Sequence, residues 1–173
     1  YYALKEVFSQ FFRLSESKQP VANDPNYVVE IIIYGTRDAY RAYQPLLYGT
    51  SSNNGGIYVE QWGQIFTFER EESESIYTLE ELLKHEYSHY LVGRHLSQGG
   101  WGEGEFYEGD RITWFNEGLA EYLSGSTKRD GVALRESIMN RINNDGAYRL
   151  TVQQVTESTY QSGFKFYRYS NLL

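Results

Sequence analysis

One stretch decides how this chain is organised: His85-Glu86-Tyr87-Ser88-His89, which has the pattern H-E-x-x-H within a segment of helical periodicity. Residues at positions i and i+4 share one face of an α-helix, so the two imidazoles can bind one metal ion. Glu86 follows the first histidine and can hold a water molecule beside that metal. The alternative is a surface helix with two solvated histidines. Other features of the chain decide between this interpretation and a metal site.

The helix that carries the motif has a well-specified beginning. Thr78 and Glu81 have the spacing of a capping box, in which the side chain of each residue accepts a hydrogen bond from the backbone of the other. Several leucines and Tyr90 supply an apolar face, and Gly93 is the expected end of the helix. A capped helix with an apolar face is partly buried, which argues against the solvated-surface interpretation.

Short strands precede this helix and further helices follow it. Predicted helices cover residues 2–14, 36–44, 78–93, 113–125, a segment after Asp130 that includes Leu134, Ile138 and Ile142, and residues 163–173. Predicted strands cover residues 28–34, 57–60 and 64–70. No internal repeat and no long linker is visible, so the elements are expected to form one catalytic unit.

The composition excludes several classes of protein. The chain has 173 residues, of which 40% are hydrophobic and 23% are charged, as in a globular domain with a core. The net charge of −7 argues against nucleic-acid binding, and no apolar run approaches the ~20 residues that cross a membrane. The absence of cysteine excludes thiol catalysis and thiolate metal ligands. The chain begins with Tyr1 and shows no signal peptide, so we expect a processed form or an excised domain.

A catalytic zinc ion needs a third protein ligand, and His95 is one candidate. It lies at the distance from His89 that the pattern H-E-x-x-H-x-x-G-x-x-H requires, but that pattern has a glycine at the position of Val92. Here the glycine comes one residue later, at Gly93. Enzymes with that pattern also carry a methionine turn below the metal, whereas the single methionine, Met139, lies in a helical pattern. We therefore expect His95 to be a surface residue or to lie just outside the ligand set.

The other candidate is Glu117, within the stretch Trp114-Phe115-Asn116-Glu117-Gly118-Leu119-Ala120-Glu121. Glu117 and Glu121 stand at i and i+4, so both point to the same side of a predicted helix. A carboxylate among apolar neighbours is costly to bury unless it binds a metal or a partner. Metal-bound histidine normally donates its second N–H to a carboxylate, and Glu121 suits that role. This helix alone would favour two solvated glutamates, but next to a buried H-E-x-x-H motif Glu117 is the preferred third ligand.

Short stretches along most of the chain match one known family. They are NNGGIYVE at 53–60, SIYTLEEL at 75–82, HEYSHYL at 85–91 with Gly93-Arg94, TWFNEG at 113–118 with Ala120-Glu121, GST at 125–127 and FYRY at 166–169. In this order and spacing the chain resembles the catalytic peptidase domain of the secreted bacterial collagenases, which are zinc metalloproteases of the gluzincin type. The resemblance implies an α+β, zincin-like fold, with a small, mixed, twisted sheet whose edge strand packs on the active-site helix. It also implies an N-terminal subdomain over residues 1–111 and a helical C-terminal subdomain, or lobe, over residues 112–173.

The resemblance implies a role for individual residues of the catalytic centre. The implied zinc ligands are His85, His89 and Glu117. Glu86 would act as general base and then as general acid. A tyrosine near the C-terminal end of the family domain stabilises the oxyanion; Tyr160 aligns best with it, and Tyr167 is the alternative.

Two further groups of positions follow from the same resemblance. In the family a calcium ion lies near the active-site helix, and the matching ligands are the side chain of Glu60 and the backbone carbonyls of Gly93, Ser97 and Gly99. The family also binds substrate along an edge strand, for which the matching residues are Gly55, Gly56, Ile57 and Tyr58. Such a strand holds an extended chain mainly through backbone hydrogen bonds, which require little side-chain identity.

The expected function is that of a secreted, monomeric zinc endopeptidase that also binds calcium and cleaves collagen-like or gelatin-like polypeptides. We expect no nucleic-acid or membrane partner. One alternative is a gluzincin of another specificity, such as an aminopeptidase. Another is a catalytically silent binding module that keeps a metal for stability. Chelator-sensitive peptide hydrolysis that zinc restores distinguishes an enzyme from such a module.

Overall fold

The computed structural model describes residues 2–16, 18–99, 102–110, 112–127, 129, 136–170 and 172. Within these residues, seven α-helices accompany one three-stranded sheet, which confirms the α+β class. The helices are α1 Tyr2–Leu14, α2 Arg37–Tyr48, α3 Leu79–His95, α4 Thr113–Gly125, α5 Glu136–Asn144, α6 Val152–Thr156 and α7 Tyr167–Ser170. The strands are β1 Glu30–Tyr34, β2 Gly56–Val59 and β3 Gln64–Phe68. None of the described helices combines the length and the apolar character needed to cross a membrane.

The sheet is mixed, with the strand order β1-β3-β2. The central strand β3 runs parallel to β1 and antiparallel to β2. One face of the sheet is covered by α2, whose Tyr40 is buried in a cluster with Phe66 and Phe68. Because β2 pairs with β3 on one side only, half of its backbone N–H and C=O groups face away from the sheet. The predicted mixed sheet with an edge strand before the motif helix is confirmed.

The motif helix α3 begins at a capping box and passes close to β2. The Thr78 side chain accepts from the Glu81 N–H, and the Glu81 carboxylate accepts from the Thr78 N–H at 2.8 Å, as predicted. A Cβ on Gly56 of β2 would lie 2.6 Å from Leu82 Cδ2 and 3.0 Å from the Phe66 carbonyl oxygen. Glycine at this position therefore lets the edge strand approach the helix that carries both histidines.

The main core joins α3 to α1 and α4. Its buried members are Val7 and Phe11 of α1, Tyr90, Leu91 and Val92 of α3, and Leu123 of α4. A second cluster connects α5, α6 and α7 through Ile138, Ile142, Val155 and Tyr169, which confirms the predicted apolar face of Ile138 and Ile142. Leu134 lies outside the described residues. The first core holds α3 and α4 against each other, and the site lies between them.

The end of α2 differs from its prediction. The helix was expected to stop at Gln44 because a proline follows, but it continues through Pro45 to Tyr48. A proline lacks the N–H that would bind the carbonyl four residues earlier, here that of Arg41. The Ser52 hydroxyl donates to this carbonyl at 3.3 Å, and the helix ends instead at Gly49, in the left-handed conformation. A contact with the following loop thus compensates for the missing bond.

The end of α3 was also predicted wrongly. Gly93 was expected to terminate the helix, but α3 continues to His95. The glycine has a different role, because a Cβ there would lie 3.1 Å from the Glu60 carboxylate carbon. Close approach of a side chain from another element, rather than helix termination, explains the glycine.

Some strand and helix boundaries shift for reasons of pairing. β1 begins at Glu30 rather than Val28, because β3 begins only at Gln64, which pairs with Glu30. β2 ends one residue early, since Glu60 opens a short 3-10 turn. Of the predicted helix over residues 163–173, the described α-helical part is Tyr167–Ser170 alone.

Candidate active site

Three metal-binding side chains meet between α3 and α4. The Nε2 atoms of His85 and His89, one turn apart on α3, are separated by 3.1 Å. Glu117 of α4 brings its Oε2 atom to 3.3 Å from His85 Nε2 and to 3.7 Å from His89 Nε2. One ligand atom from each residue lies within 4.8 Å of the others, and all three residues are buried. The two histidines and Glu117 therefore lie close enough together to share one metal ion.

The packing of α4 explains how Glu117 reaches the histidines. A Cβ on the neighbouring Gly118 would lie 2.5 Å from the carbonyl oxygen of Ser170, so α4 and α7 touch at the backbone there. Successive residues of an α-helix are about 100° apart, so Glu117 lies on the adjacent face of α4, which is directed toward α3. Glu117 is only 3% exposed, and such burial of a carboxylate requires compensating partners.

Each histidine is oriented by a hydrogen bond from its other ring nitrogen. His85 Nδ1 lies 2.9 Å from Glu121 Oε1, as predicted for Glu121. His89 Nδ1 lies 3.2 Å from the side-chain oxygen of Asn116, a partner that the sequence analysis did not identify. Both contacts fix the ring orientation and leave Nε2 directed at Glu117. Asn116 adjoins Glu117 in the chain and is nearly inaccessible to solvent, but neither property is visible in the helical pattern.

The charges around the histidines favour a bound cation. Burial by itself lowers the pKa of His85, but hydrogen bonds to Glu117 and Glu121 outweigh it and hold this pKa well above 6.5. Burial likewise opposes ionisation of Glu117, yet the positive histidines bring the pKa of its carboxyl below the usual value. Two imidazoles and one carboxylate form the ligand set of a catalytic zinc site with one open position. The residues present therefore fit zinc.

Glu86 lies on the same helix but faces the edge strand. Its Oε2 atom accepts a hydrogen bond of 2.8 Å from the backbone N–H of Tyr58 in β2. Burial raises the pKa of Glu86, while the nearby charges of His85 and His89 lower it in part. A buried carboxylate that faces the same space as the histidines can act as a proton acceptor and donor there.

Tyr160 contacts the ligand set directly. Its hydroxyl donates to Glu117 Oε1 at 2.8 Å and lies 3.4 Å from the Asn116 side-chain nitrogen, which donates to it. Burial is the main cause of a strongly raised pKa at Tyr160, so its proton is retained at all ordinary pH values. Tyr167, the alternative, lines the same cleft, and burial raises its pKa as well.

The site opens into a cleft of about 1880 Å³ that both halves of the chain line. One wall is formed by the backbone and side chains of Gly55, Gly56, Ile57 and Tyr58. The opposite wall includes Ile138, Tyr160 and Tyr167. A cleft with an open strand edge on one wall and metal-binding side chains at its base can bind an extended polypeptide.

Comparison with known proteins agrees with this geometry. A family model for the M9 peptidases, described as Collagenase, matches residues 1–173. The chain belongs to the M9 collagenase family. Collagenase ColA of Bacillus cereus is 44% identical over 171 residues, which are 98% of this chain and 18% of the relative. Collagenase ColT of Clostridium tetani is 42% identical over 172 residues, or 98% of this chain and 17% of that protein.

A third similar protein is collagenase ColA of Clostridium perfringens, 41% identical over 170 residues. These residues are 98% of the present chain and 15% of that relative. The chain therefore spans less than a fifth of the length of the M9 collagenases that it matches here.

Two of the four predicted calcium positions of this M9 chain are in contact. The Glu60 carboxylate lies against Gly93, near the end of α3. Ser97 and Gly99 follow α3 directly; Ser97 is buried and Gly99 has a φ of +86°. Tyr107, which no sequence pattern indicated, donates its hydroxyl to Glu60 Oε2 at 3.3 Å. Burial raises the pKa of Glu60, which makes a cation beside it favourable.

The environment of His95 corrects an expectation. It was predicted to be a surface residue or to lie just outside the ligand set, but it is only 9% exposed. Its ring packs against Phe11 and Phe12 of α1, with centroid distances of 6.0 and 4.8 Å. Burial lowers the pKa of His95. The residue belongs to the α1–α3 contact in this collagenase-family chain, because α3 continues two residues beyond Gly93, where it was expected to end.

Proposed function

We propose that this chain forms the zinc-binding catalytic part of an endopeptidase that cleaves collagen-like or gelatin-like polypeptides. The observation that carries the proposal is the convergence of His85, His89 and Glu117 within 4.8 Å. Glu86 lies beside them and against an open strand edge. Membership of the M9 collagenase family supports the same conclusion.

The residues of the site divide the chemistry of peptide hydrolysis between them. His85, His89 and Glu117 would hold zinc, which when bound lowers the pKa of a coordinated water toward about 7 and polarises the scissile carbonyl. Glu86 accepts a proton from the attacking water and returns it to the leaving amine. Glu121 and Asn116 keep the two imidazoles in the orientation that exposes Nε2.

Tyr160 is proposed to donate a hydrogen bond to the oxyanion of the tetrahedral intermediate. Its hydroxyl is 2.8 Å from a carboxylate oxygen of Glu117, so it can reach a carbonyl oxygen bound beside the ligand set. Because its pKa is strongly raised by burial, the hydroxyl is a donor throughout the working pH range. Tyr167 is the alternative for this role.

The substrate is proposed to add as a further strand to β2, along Gly55, Gly56, Ile57 and Tyr58. On the edge of β2 that faces away from β3, the Tyr58 N–H donates to Glu86, and the backbone groups of Gly56 are directed outward for such pairing. Backbone pairing suits extended chains of low side-chain content, as in unwound collagen or gelatin. The glycines at the beginning of the strand permit close approach of a second backbone.

A calcium ion is proposed near the end of α3, held by Glu60 and by the carbonyls of Gly93, Ser97 and Gly99. The position of the Glu60 carboxylate beside the Gly93 backbone, just before the segment that carries the other two carbonyls, supports this site, because calcium prefers carboxylate and carbonyl oxygens. We expect calcium to raise the melting temperature of the wild-type protein and to change the melting temperature of Glu60→Gln very little. Equal stabilisation of both proteins would contradict the site.

Several features of organisation accompany the proposal. The fold is proposed to be zincin-like, with residues 1–111 above the cleft and the helical residues 112–173 below it. The protein is proposed to be secreted and monomeric, with a polypeptide as its partner and without nucleic-acid or membrane partners. Light scattering of the purified protein measures the monomeric state directly.

The proposed activity is tested with gelatin and with peptides blocked at the N-terminus. We expect a chelator to abolish hydrolysis and zinc to restore it. Glu86→Gln is expected to reduce the rate of hydrolysis by about 10²–10⁴-fold while zinc stays bound. Hydrolysis of peptides with a free N-terminus alone would favour the aminopeptidase. Bound zinc without hydrolysis of any peptide would favour the silent module.

The ligand assignment has its own test. Zinc content is measured for Glu117→Ala and for His95→Ala. We expect zinc to be lost from the first variant and kept by the second, since His95 packs between α1 and α3. The reverse result would exclude Glu117 as the third ligand.

A further inference from the structure

The carbonyl oxygen of Gly55 is held by two side chains of the sheet. Arg70, just after β3, donates from Nη2 to this oxygen at 2.6 Å. The Thr67 hydroxyl donates to the same oxygen at 2.9 Å and accepts from Arg70 Nη2 at 2.7 Å. Thr67 is completely buried, and the guanidinium also lies over the Phe68 ring at 4.4 Å. We call the contacts of Arg70 and Thr67 with Gly55 the Gly55 anchor.

The anchor acts where the strand pairing ends. β2 begins at Gly56, which pairs with Thr67, so Gly55 lies one residue beyond the ladder. Two consecutive glycines restrict the backbone less than any other pair of residues. Without a partner for its carbonyl, the peptide unit between Gly55 and Gly56 could rotate freely. The two side-chain donors remove this freedom.

The anchor also sets the direction of a group that faces the cleft. Residues in an antiparallel pair alternate between directing their backbone groups at the partner strand and away from it. The Tyr58 N–H points away from β3, since it donates to Glu86. Gly56 stands two residues earlier and has the same orientation. Because a trans peptide directs its C=O and N–H to opposite sides, a carbonyl of Gly55 held toward Arg70 aims the Gly56 N–H at the open edge.

We propose that Arg70, together with Thr67, is a positioning residue for substrate binding: the Gly55 anchor keeps the Gly56 N–H directed at a backbone carbonyl of the polypeptide. This inference rests on the proposed peptidase function. Gly56 lies about 7 Å along the strand from Tyr58, which is the length of two residues. The anchor therefore acts on a substrate residue two positions away from the one opposite Glu86. Pre-orientation of the N–H avoids the ordering cost of two glycines when the substrate binds.

The test compares peptides of different length. A short blocked peptide that covers only the region near Tyr58 is compared with two peptides extended by two residues on the N-terminal or the C-terminal side. Dissociation constants are measured by calorimetry on the metal-free protein, and kcat and KM on the zinc-loaded protein. In the wild type we expect one extension to tighten binding.

Arg70→Gln is expected to lose this gain, roughly five- to tenfold, which corresponds to one hydrogen bond. Binding of the short peptide should not change, and the loss should appear in KM rather than kcat. Arg70→Lys keeps the positive charge but lacks the planar guanidinium with its several N–H donors. This variant should recover only part of the gain in affinity from the extended peptide. Arg13→Gln, which removes an exposed charge on α1 outside the cleft, is the matched control and should behave as wild type.

Three outcomes would overturn the inference. They are an unchanged gain in Arg70→Gln, an equal weakening of short and long peptides, and no gain from either extension in the wild type. If Arg70→Gln does not fold, Thr67→Val removes one donor to Gly55 and provides the same comparison. Length-dependent binding without hydrolysis would contradict the proposed endopeptidase and would leave the Gly55 anchor standing.

Discussion

At the scale of single residues, the geometry of the site depends on side chains that contact the histidines at their outer ring nitrogens. Glu121 and Asn116 bind the outer nitrogens of His85 and His89 and so determine where the inner nitrogens point. Glu121 followed from its i and i+4 relation to Glu117, whereas Asn116 did not follow from any pattern. An asparagine within an amphipathic helix is most simply a solvated residue. Only contact between two helices reveals its partner.

Replacing Glu121 tests this orienting role. Glu121→Gln is expected to weaken zinc binding by about 10- to 100-fold, because the His85 ring loses a charged hydrogen-bond acceptor. Zinc affinity is measured by competition with a chelating dye. Glu136→Gln, an exposed glutamate at the start of α5, serves as control and should keep wild-type affinity. Unchanged affinity in Glu121→Gln would show that the packing of the ring alone is sufficient.

Asp145 provides a pH-dependent contribution outside the site. A hydrogen bond from the Tyr169 hydroxyl, with the charges of Arg168 and Lys165, holds the pKa of its carboxyl below 3.8. The unfolded chain then binds more protons at acidic pH, so this stabilisation is present above pH 3.8 and is lost as the pH falls through the lowered pKa. Asp145→Asn should therefore be less stable than wild type at neutral pH, and the difference should shrink below about pH 4.

Urea unfolding at a series of pH values from 7 to about 3 measures this difference. A stability difference that stays constant over the whole series would indicate that shape rather than charge determines the contribution of Asp145. Neither Asp145 nor Tyr169 belongs to the proposed ligand sets, so the experiment can be made without metal.

At the scale of elements, local signals specified where helices begin better than where they end. The capping box of Thr78 and Glu81 forms as predicted, because its partners are three residues apart and need no other element. The predicted ends of α2 and α3 were wrong because each depends on a residue outside the helix. Ser52 binds the carbonyl that Pro45 leaves without a backbone donor, so α2 continues. Gly93 makes room for the Glu60 carboxylate and does not end α3.

The cap of α3 can be tested alone. Thr78→Ala is expected to lower the free energy of unfolding by about 1 kcal/mol, since the Glu81 N–H loses its acceptor. Thr78→Ser keeps the hydroxyl and is the control. Chemical denaturation measures both variants, and equal stability of the alanine variant and wild type would show that packing on β2 suffices to start the helix.

At the scale of the whole molecule, one core connects the proposed subdomains. Val7 and Phe11 near the N-terminus pack in the same cluster as Leu91 of α3 and Leu123 of α4. The two walls of the cleft therefore depend on a common set of apolar contacts. We expect the described fold to unfold as one cooperative unit, although the site lies between two halves of the chain.

Leu123→Ala tests this cooperativity. The variant should lose about 2–5 kcal/mol of stability, because the leucine is fully buried and its removal leaves a cavity. Unfolding is followed by fluorescence in variants that keep only Trp62, beside β3, or only Trp114, on α4. The two probes should report the same shift of the midpoint. A shift at Trp114 alone would indicate independently folding subdomains.

The sequence by itself determined the features that short-range geometry controls. These features are local relations within one helix. They are the two histidines one turn apart, the capping box between residues three positions apart, and the i, i+4 spacing of Glu117 and Glu121. These relations were enough to predict a zinc site with Glu117 as its third ligand. The tertiary structure decided what depends on distant contacts: Asn116 against His89, Tyr107 against Glu60, His95 among phenylalanines and Arg70 against Gly55. Such contacts depend on how helices and strands pack against each other, and the spacing of residues along one element does not predict that packing.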